Sequence, residues 1–489
     1  MLRPLYIAVV LAGLSGPALA QSDLMTIYQE ALLNSADLAA AEADALARQE
    51  VLPQARAQLL PSLGIGAGLA KEYVDVDGAG SDDYTTHYYQ ASLTQPLFRA
   101  DRWFNYQAAK SQSEQAQVEF SAIQQQLILD VAQAYFNVLR ASDNLATARA
   151  EEAAFERQLE QARERFEVGL AARTDVLEAM AGFDAARATR ITATTNLDVS
   201  YQALTRLTNR DHPELLGMSH ELPVLAPTPV DMQQWVETAA AQNLSLQAYR
   251  LAISSASEAL RSSKSGYAPA IDAFVRYSDN HGGAQLGGLG GRAGGDTELT
   301  QLGIEMTLPL FTGGGTSSRI RESTFRLSQA EQASEAELRR VVERTRNLFR
   351  TVTSSVEEVE ARRQTIISSK AALDATQTGY EVGTRNVIDV LDAQRNLYRA
   401  VRDYNNARYN YIIDNLSLKQ AAGTLSPQDL EDLTAWLNPD YDPDRDFIPP
   451  FTEEEVRRMN IGSGSRARPL NDLQHERQQE QQQRMRTSF

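Results

Sequence analysis

EVGTRNVIDVLDAQ (381–394) restates EVGLAARTDVLEAM (167–180). Both run Glu-Val-Gly, then a short polar turn, then Asp-Val-Leu and a second acid. Flanking matches keep the same order: Asp23-Leu24 with Asp231-Met232, Leu60-Pro61-Ser62-Leu63 with Ala268-Pro269-Ala270-Ile271, and Gln95-Pro96-Leu97-Phe98 with Leu308-Pro309-Leu310-Phe311. A spacing held near roughly 210 residues marks an internal duplication, which constrains the architecture before any local pattern does.

The copies span 21–230 and 231–437, and each carries the same succession of patterns. An Ala-rich amphipathic stretch of roughly 35 residues comes first (24–58 and 232–266) and predicts one helix. Two strand-like segments follow, 60–72 and 84–98, then 270–280 and 299–311. Next come long proline-free runs rich in Gln, Ala, Glu and Arg, which predict helices over 101–166 and 317–381. Each would extend roughly 100 Å at 1.5 Å per residue. Leu127, Val131, Ala134 and Val138 alternate four and three apart, as do Val341, Thr345, Leu348 and Val352, and this is a coiled-coil-like seam. Ile128, Tyr135 and Leu139 add a second stripe, so these helices bury two faces. Gly169 and Gly383 suit a chain-reversing turn, because glycine takes positive φ without strain. Returning helices are expected at 175–208 and 388–423. The segments 209–231 and 424–450 would then lie midway along the helical body.

The strand segments alternate with period two. Tyr89, Ala91 and Leu93 interleave with Gln90, Ser92 and Thr94, and Ile304, Met306, Leu308 and Leu310 with Gly303, Glu305 and Thr307. Segments of about ten residues with one apolar face are the signature of transmembrane barrel strands. The connecting stretches 74–83 and 279–295 are polar and glycine-rich, as outer loops of such barrels are. Closed membrane barrels begin at about eight strands, so a chain supplying four must oligomerise: two copies give eight, three give twelve.

Composition narrows the function. The 489 residues carry a net charge of −17, which disfavours a nucleic-acid partner. There are no cysteines, hence neither disulfides nor thiolate metal sites. MLRPLYIAVVLAGLSGPALA (1–20) reads as a cleaved signal peptide, and no later run is long and apolar enough for a membrane-spanning helix. Residues 451–489 are polar and are expected to be disordered. The five histidines lack metal-ligand spacing, no catalytic constellation stands out, and the glycine run 282–295 has no Lys to cradle phosphate. Asp440, Asp442, Asp444 and Asp446 alternate like a calcium loop, but Arg445 and Phe451 occupy the positions that need Gly and Glu. Asp389 and Asp392 are stronger candidates. They share a helix face just after a turn, where acids complement the macrodipole. In an oligomer whose tips converge, they would also repeat as a cation-selective ring.

YEVGTRNVIDVLDAQRNLYRA (380–400) and NARYNYIIDNLSLKQAAGTLSPQDL (406–430) closely resemble the C-terminal half of the TolC family of outer-membrane exit ducts. The resemblance covers about 23–436, and in the first copy rests mainly on RFEVGLAARTDVLEA and the strand prolines. It implies a mainly α protein with membrane β-structure. Three copies would form a 12-stranded β-barrel continued by a 12-helix periplasmic α-barrel, with a mixed equatorial belt. It implies a constriction ring at Asp389 and Asp392, a closing latch of Tyr380 and Arg385 with acceptors Thr174 and Asp175, and adaptor-contact turns at Gly169, Leu170, Gly383 and Thr384. The implied partners are the homotrimer, a periplasmic adaptor protein, an inner-membrane transporter of ABC, RND or MFS type, and outer-membrane lipid; no cofactor is implied. Glu178 adds an acid at the first-copy counterpart of Asp392. A general diffusion porin needs no such helices, and a structural periplasmic rod needs no amphipathic strands. An enzyme is not expected.

Overall fold

The computed structural model describes residues 22–76, 80–282, 296–452 and 455. The stretch 1–20 expected to be a signal peptide, the glycine-rich 283–295 and nearly all of 451–489 lie outside the described residues. The chain divides into two compact units: one comprises residues up to 36, 125–235 and from 345 on; the other comprises 37–124 and 236–344.

The second unit holds the sheet. Strands β1 (Ser62–Val76), β2 (Gly80–Phe98), β4 (Ala270–His281) and β5 (Thr297–Thr307) form an antiparallel sheet in the order β1-β2-β4-β5. The register sets Leu63 beside Leu93, Leu93 beside Val275, and Val275 beside Leu302, so one face carries a continuous apolar row. That face meets no core: Ile65 is 83% exposed and Leu302 82%. Both edge strands offer unpaired backbone groups, which a bilayer does not tolerate in an open sheet. Below the sheet, Arg48 pairs with Glu119 at 2.5 Å, while the Ser111 and Ser254 hydroxyls meet at 3.0 Å.

The single helices expected over 24–58 and 232–266 are interrupted. The first copy is divided into α1 (Leu24–Asn34), α2 (Ala36–Gln49) and α3 (Val51–Ala57), the second into α6 (Met232–Gln242) and α7 (Leu244–Lys264). Ser35 and Asn243, at matching repeat positions, explain the shared break. Ser35 leaves the helix with ψ 115°, and the Asn243 side chain accepts from Leu246 N at 3.0 Å. Short polar side chains compete with the helix for backbone groups, and a helix start gains from them.

The first unit is helical. Helices α4 (Ala100–Glu167) and α5 (Arg173–Thr208) form one hairpin, and α8 (Gly315–Glu381) and α9 (Val387–Ala422) the other, with α4 up to 124 and α8 up to 344 belonging to the second unit. Both stripes of α4 are buried, with Val131 and Tyr135 at 0% exposure. The Tyr135 hydroxyl donates to Leu216 O at 2.7 Å, and desolvation pushes its pKa above the ordinary tyrosine range. Across 209–231 and 424–450 the chain forms β3 (Gly217–Met218), which pairs with β6 (Leu437–Asn438), together with α10 (Pro427–Thr434) and α11 (Pro443–Asp446). In the Asp440–Asp446 stretch, Arg445 pairs with Asp446 at 2.6 Å and Arg149 with Asp444 at 3.0 Å. Among the described residues no helix is long and apolar enough to cross a membrane, and no group of acids and histidines is arranged to hold a metal ion.

Candidate functional site

Both hairpins reverse by the same backbone device. Gly169 has φ 76° and Gly383 φ 78°. Gly169 N donates to Phe166 O at 3.0 Å and Leu170 N to Arg165 O at 2.7 Å; Gly383 N donates to Tyr380 O at 3.1 Å and Thr384 N to Gly379 O at 2.8 Å. This crossed pair of bonds is a Schellman motif, which satisfies the last carbonyls of a helix and needs a left-handed residue at its centre. The turns leave apolar side chains in solvent: Val168, Leu170 and Val382 are exposed.

The next helix starts differently in the two copies. Asn386 caps α9, accepting from Asp389 N at 2.8 Å, while the Asp389 carboxylate accepts from Asn386 N at 3.3 Å. In the first copy Ala172 occupies the cap, so only the return bond remains, Ala172 N to Asp175 at 3.1 Å. Asp389 and Asp175 are thus capping acids of matching helices.

Behind the turns, Phe155, Leu159, Ala179, Val387, Val390 and Leu391 form a shared core of the two hairpins. Tyr380 joins it, with the Arg165 guanidinium 4.4 Å from its ring centre. Gly182 lies against the Phe155 ring, where an added Cβ would come within 2.7 Å. Arg402 and Glu151 pair at 2.6 Å with Glu151 almost fully buried.

The acids face outward. Arg385 lies 3.9 Å from Asp389, and Arg395 donates to Asp392 at 2.7 Å. Exposed pairs of this kind contribute roughly 1 kcal/mol or less. Arg385, Asp389 and Asp392 line a polar groove of about 520 Å³ with Thr365 and Ser369 of α8. The structure therefore groups Arg385 with Asp389 and Asp392. Among the described residues of this single chain, Asp175 engages its own helix start instead of Arg385, and Tyr380 faces Arg165. Three contributors escaped the sequence analysis. Asn386 and Arg395 sit three residues from Asp389 and Asp392, a spacing that could have revealed them. Arg165 comes from the other hairpin and leaves no local trace.

The model of the family "Outer membrane efflux protein" matches the chain twice, over 27–210 and 235–424. The chain is 37% identical to the outer membrane protein TolC of Vibrio cholerae over 436 residues, covering 89% of this chain and 98% of that protein. It is 35% identical to TolC of Escherichia coli K12, covering 93% and 92%. Alkaline protease secretion protein AprF of Pseudomonas aeruginosa is 26% identical, covering 83% and 86%. Among solved structures, the Campylobacter jejuni CmeC outer membrane channel superposes with a TM-score of 0.72 at 16% identity, covering 87% of this chain and 92% of that one. VceC of Vibrio cholerae gives 0.71 at 20%, covering 82% and 96%. At those identities the structural likeness bears on the fold alone.

Proposed function

The chain belongs to the outer membrane efflux protein family, and on that premise we propose that it is the passive exit duct of an efflux or type I secretion system, gated at its hairpin tips. The observation that carries this reading is the pairing, in one chain, of an edge-open sheet with a lipid-ready face and two long helical hairpins. A porin would need the first without the second. Three copies close twelve strands into a barrel in the outer membrane, and their twelve helical segments continue it into the periplasm. The copies 21–230 and 231–437 contribute equally, with 209–231 and 424–450 forming the belt.

At the tip, Asp389 and Asp392 from three chains make stacked carboxylate rings that favour cations and bind multivalent ones. Tyr380 and Arg385 close the gate against Thr174 and Asp175 of a neighbouring hairpin. The switch is conformational: Arg385 trades a long, exposed ion pair with Asp389 for a charge-assisted bond to Asp175, and a docking partner can tip the balance. That partner is a periplasmic adaptor meeting the turns at Gly169, Leu170, Gly383 and Thr384, whose exposed Val168, Leu170 and Val382 supply apolar area. An inner-membrane transporter provides the energy.

Barrel closure can be tested because the natural chain has no cysteine. Single cysteines scanned along β1 and β5 should cross-link copies into a covalent ladder that ends at three. A ladder ending at two, or running on without limit, would refute the twelve-strand assembly.

A further inference from the structure

Half a helix above the tips, α4, α5 and α9 surround a guanidinium that has no acid. Arg140 donates to Asn410 Oδ1 at 3.1 Å and to Asn137 Oδ1 at 2.7 Å. Both partners are neutral amides. Among the described residues no carboxylate ion-pairs with it. Asp143, one turn along the same helix, is turned away, accepting from Tyr409 at 2.8 Å and Tyr441 at 2.9 Å. In a chain of net charge −17 an unneutralised, half-buried arginine is out of keeping with its surroundings. Desolvation is the one cause acting on it, and holds its pKa below the ordinary arginine value.

Arg140 opens onto a cleft of about 260 Å³, which Asn137, Asn144, Asn196 and Ser200 also line. Asn144 donates its Nδ2 to Asn406 Oδ1 at 3.2 Å, but its Oδ1 is buried without a partner. The cleft thus offers a fixed cation with donors beside it and one acceptor still in need of a donor. A planar guanidinium suits oxoanions, and a buried unmet acceptor is costly until a donor reaches it.

We propose that this cleft binds a small oxoanion that also carries an O–H group, the chemistry shared by hydrogen phosphate, phosphate monoesters and hydroxycarboxylates. The anionic oxygens accept from Arg140 while the O–H donates to Asn144 Oδ1. The site stands apart from the cation-selective tip and does not depend on the gate. In a duct built of three copies it recurs three times.

Equilibrium dialysis of the full-length protein in detergent against labelled inorganic phosphate tests the assignment. Saturable binding of one phosphate per chain is expected, with nitrate, which has no O–H, competing at least about tenfold more weakly. Arg140→Gln keeps an amide in reach of both asparagines and should weaken binding at least about tenfold. Asn196→Asp places a carboxylate in the same cleft and should suppress binding by neutralising the arginine without removing it; it also serves if Arg140→Gln fails to assemble. Absence of saturable binding in the natural protein would overturn the proposal, as would equal binding in Asn196→Asp. Equal competition by nitrate would overturn the role given to Asn144.

Discussion

The returning helices α5 and α9 occupy the same place in the two copies and have the same length, 36 residues, yet they are held differently. Half of α9 is buried, including Tyr404, Asn405, Arg408 and Tyr409; α5 buries seven residues, four of them Ala or Gly. Exposed apolar groups stay on α5 instead: Leu177, Met180, Ile191 and Val199. The starts differ in the same sense, with a reciprocal cap on α9 and half of one on α5. Duplication supplied one hairpin twice. Divergence then anchored the second within its own chain and left the first with a face suited to another copy.

The largest expected effect separates the acids by copy. Asp389→Ala with Asp392→Ala should abolish block of the channel by trivalent cations while leaving the trimer intact. Asp175→Ala with Glu178→Ala should leave the block in place. Unchanged block in the first double variant, measured in planar bilayers, would move the ring elsewhere.

Next in size is the anchor of α9. Asp143 is fully buried, and desolvation raises its pKa to about 6 despite the hydrogen bonds from Tyr409 and Tyr441 and the nearby Arg408. Its contribution to stability is therefore complete below 3.8 and lost as pH rises through about 6. Across that interval the change is on the order of 3 kcal/mol. Close by, Arg408 donates to His220 Nδ1 at 2.9 Å, and His220 Nε2 donates to Asp446 O at 2.7 Å. That bonding fixes the neutral imidazole. Burial first, then Arg408 and Arg363, lower its pKa to about 4, against raising effects from Asp446 and its carbonyl. His220's contribution is present above 6.5 and lost as pH falls through about 4. The two slopes oppose. Asp143→Asn should unmask the histidine, so the thermal midpoint falls as pH drops from 6.5 to 4; His220→Gln should make it rise. Profiles parallel to the natural protein would show that neither group sets the pH response.

Smaller effects concern the caps. Asn386→Ala should cost about 1 kcal/mol, by loss of the reciprocal cap. Ala172→Asn should restore the missing half in the first copy and gain roughly 0.5 to 1 kcal/mol. Chemical denaturation reads both, and equal, negligible shifts would remove the capping difference as an explanation.

Much of this was legible because periodicity survives without tertiary context. The paired stripes around Val131 and Tyr135 and the glycine turns emerge at their expected positions, whereas the strands depart by up to four residues. β1 runs on to Val76 and β2 begins at Gly80, so most of the loop expected over 74–83 is strand, and β5 stops at Thr307, leaving Leu308 and Leu310 beyond it. What was missed depended on distant partners or on competition by small polar groups. Ser35 and Asn243 are unremarkable inside an Ala-rich helix until their side chains or backbones take the alternative geometry. Asp143 reads as a solvated acid on a polar helix unless Tyr441, nearly 300 residues later, is known to cover it. Arg140 looks like any helical arginine until its lack of an acid is seen.

Gating at the hairpin tips is tested by single-channel conductance of the protein in a planar bilayer, beside Tyr380→Phe with Arg385→Ser. A tip-gated duct gives a small, cation-selective conductance that rises in the double variant. A large conductance indifferent to those substitutions would contradict it, and so would the absence of any channel in both proteins.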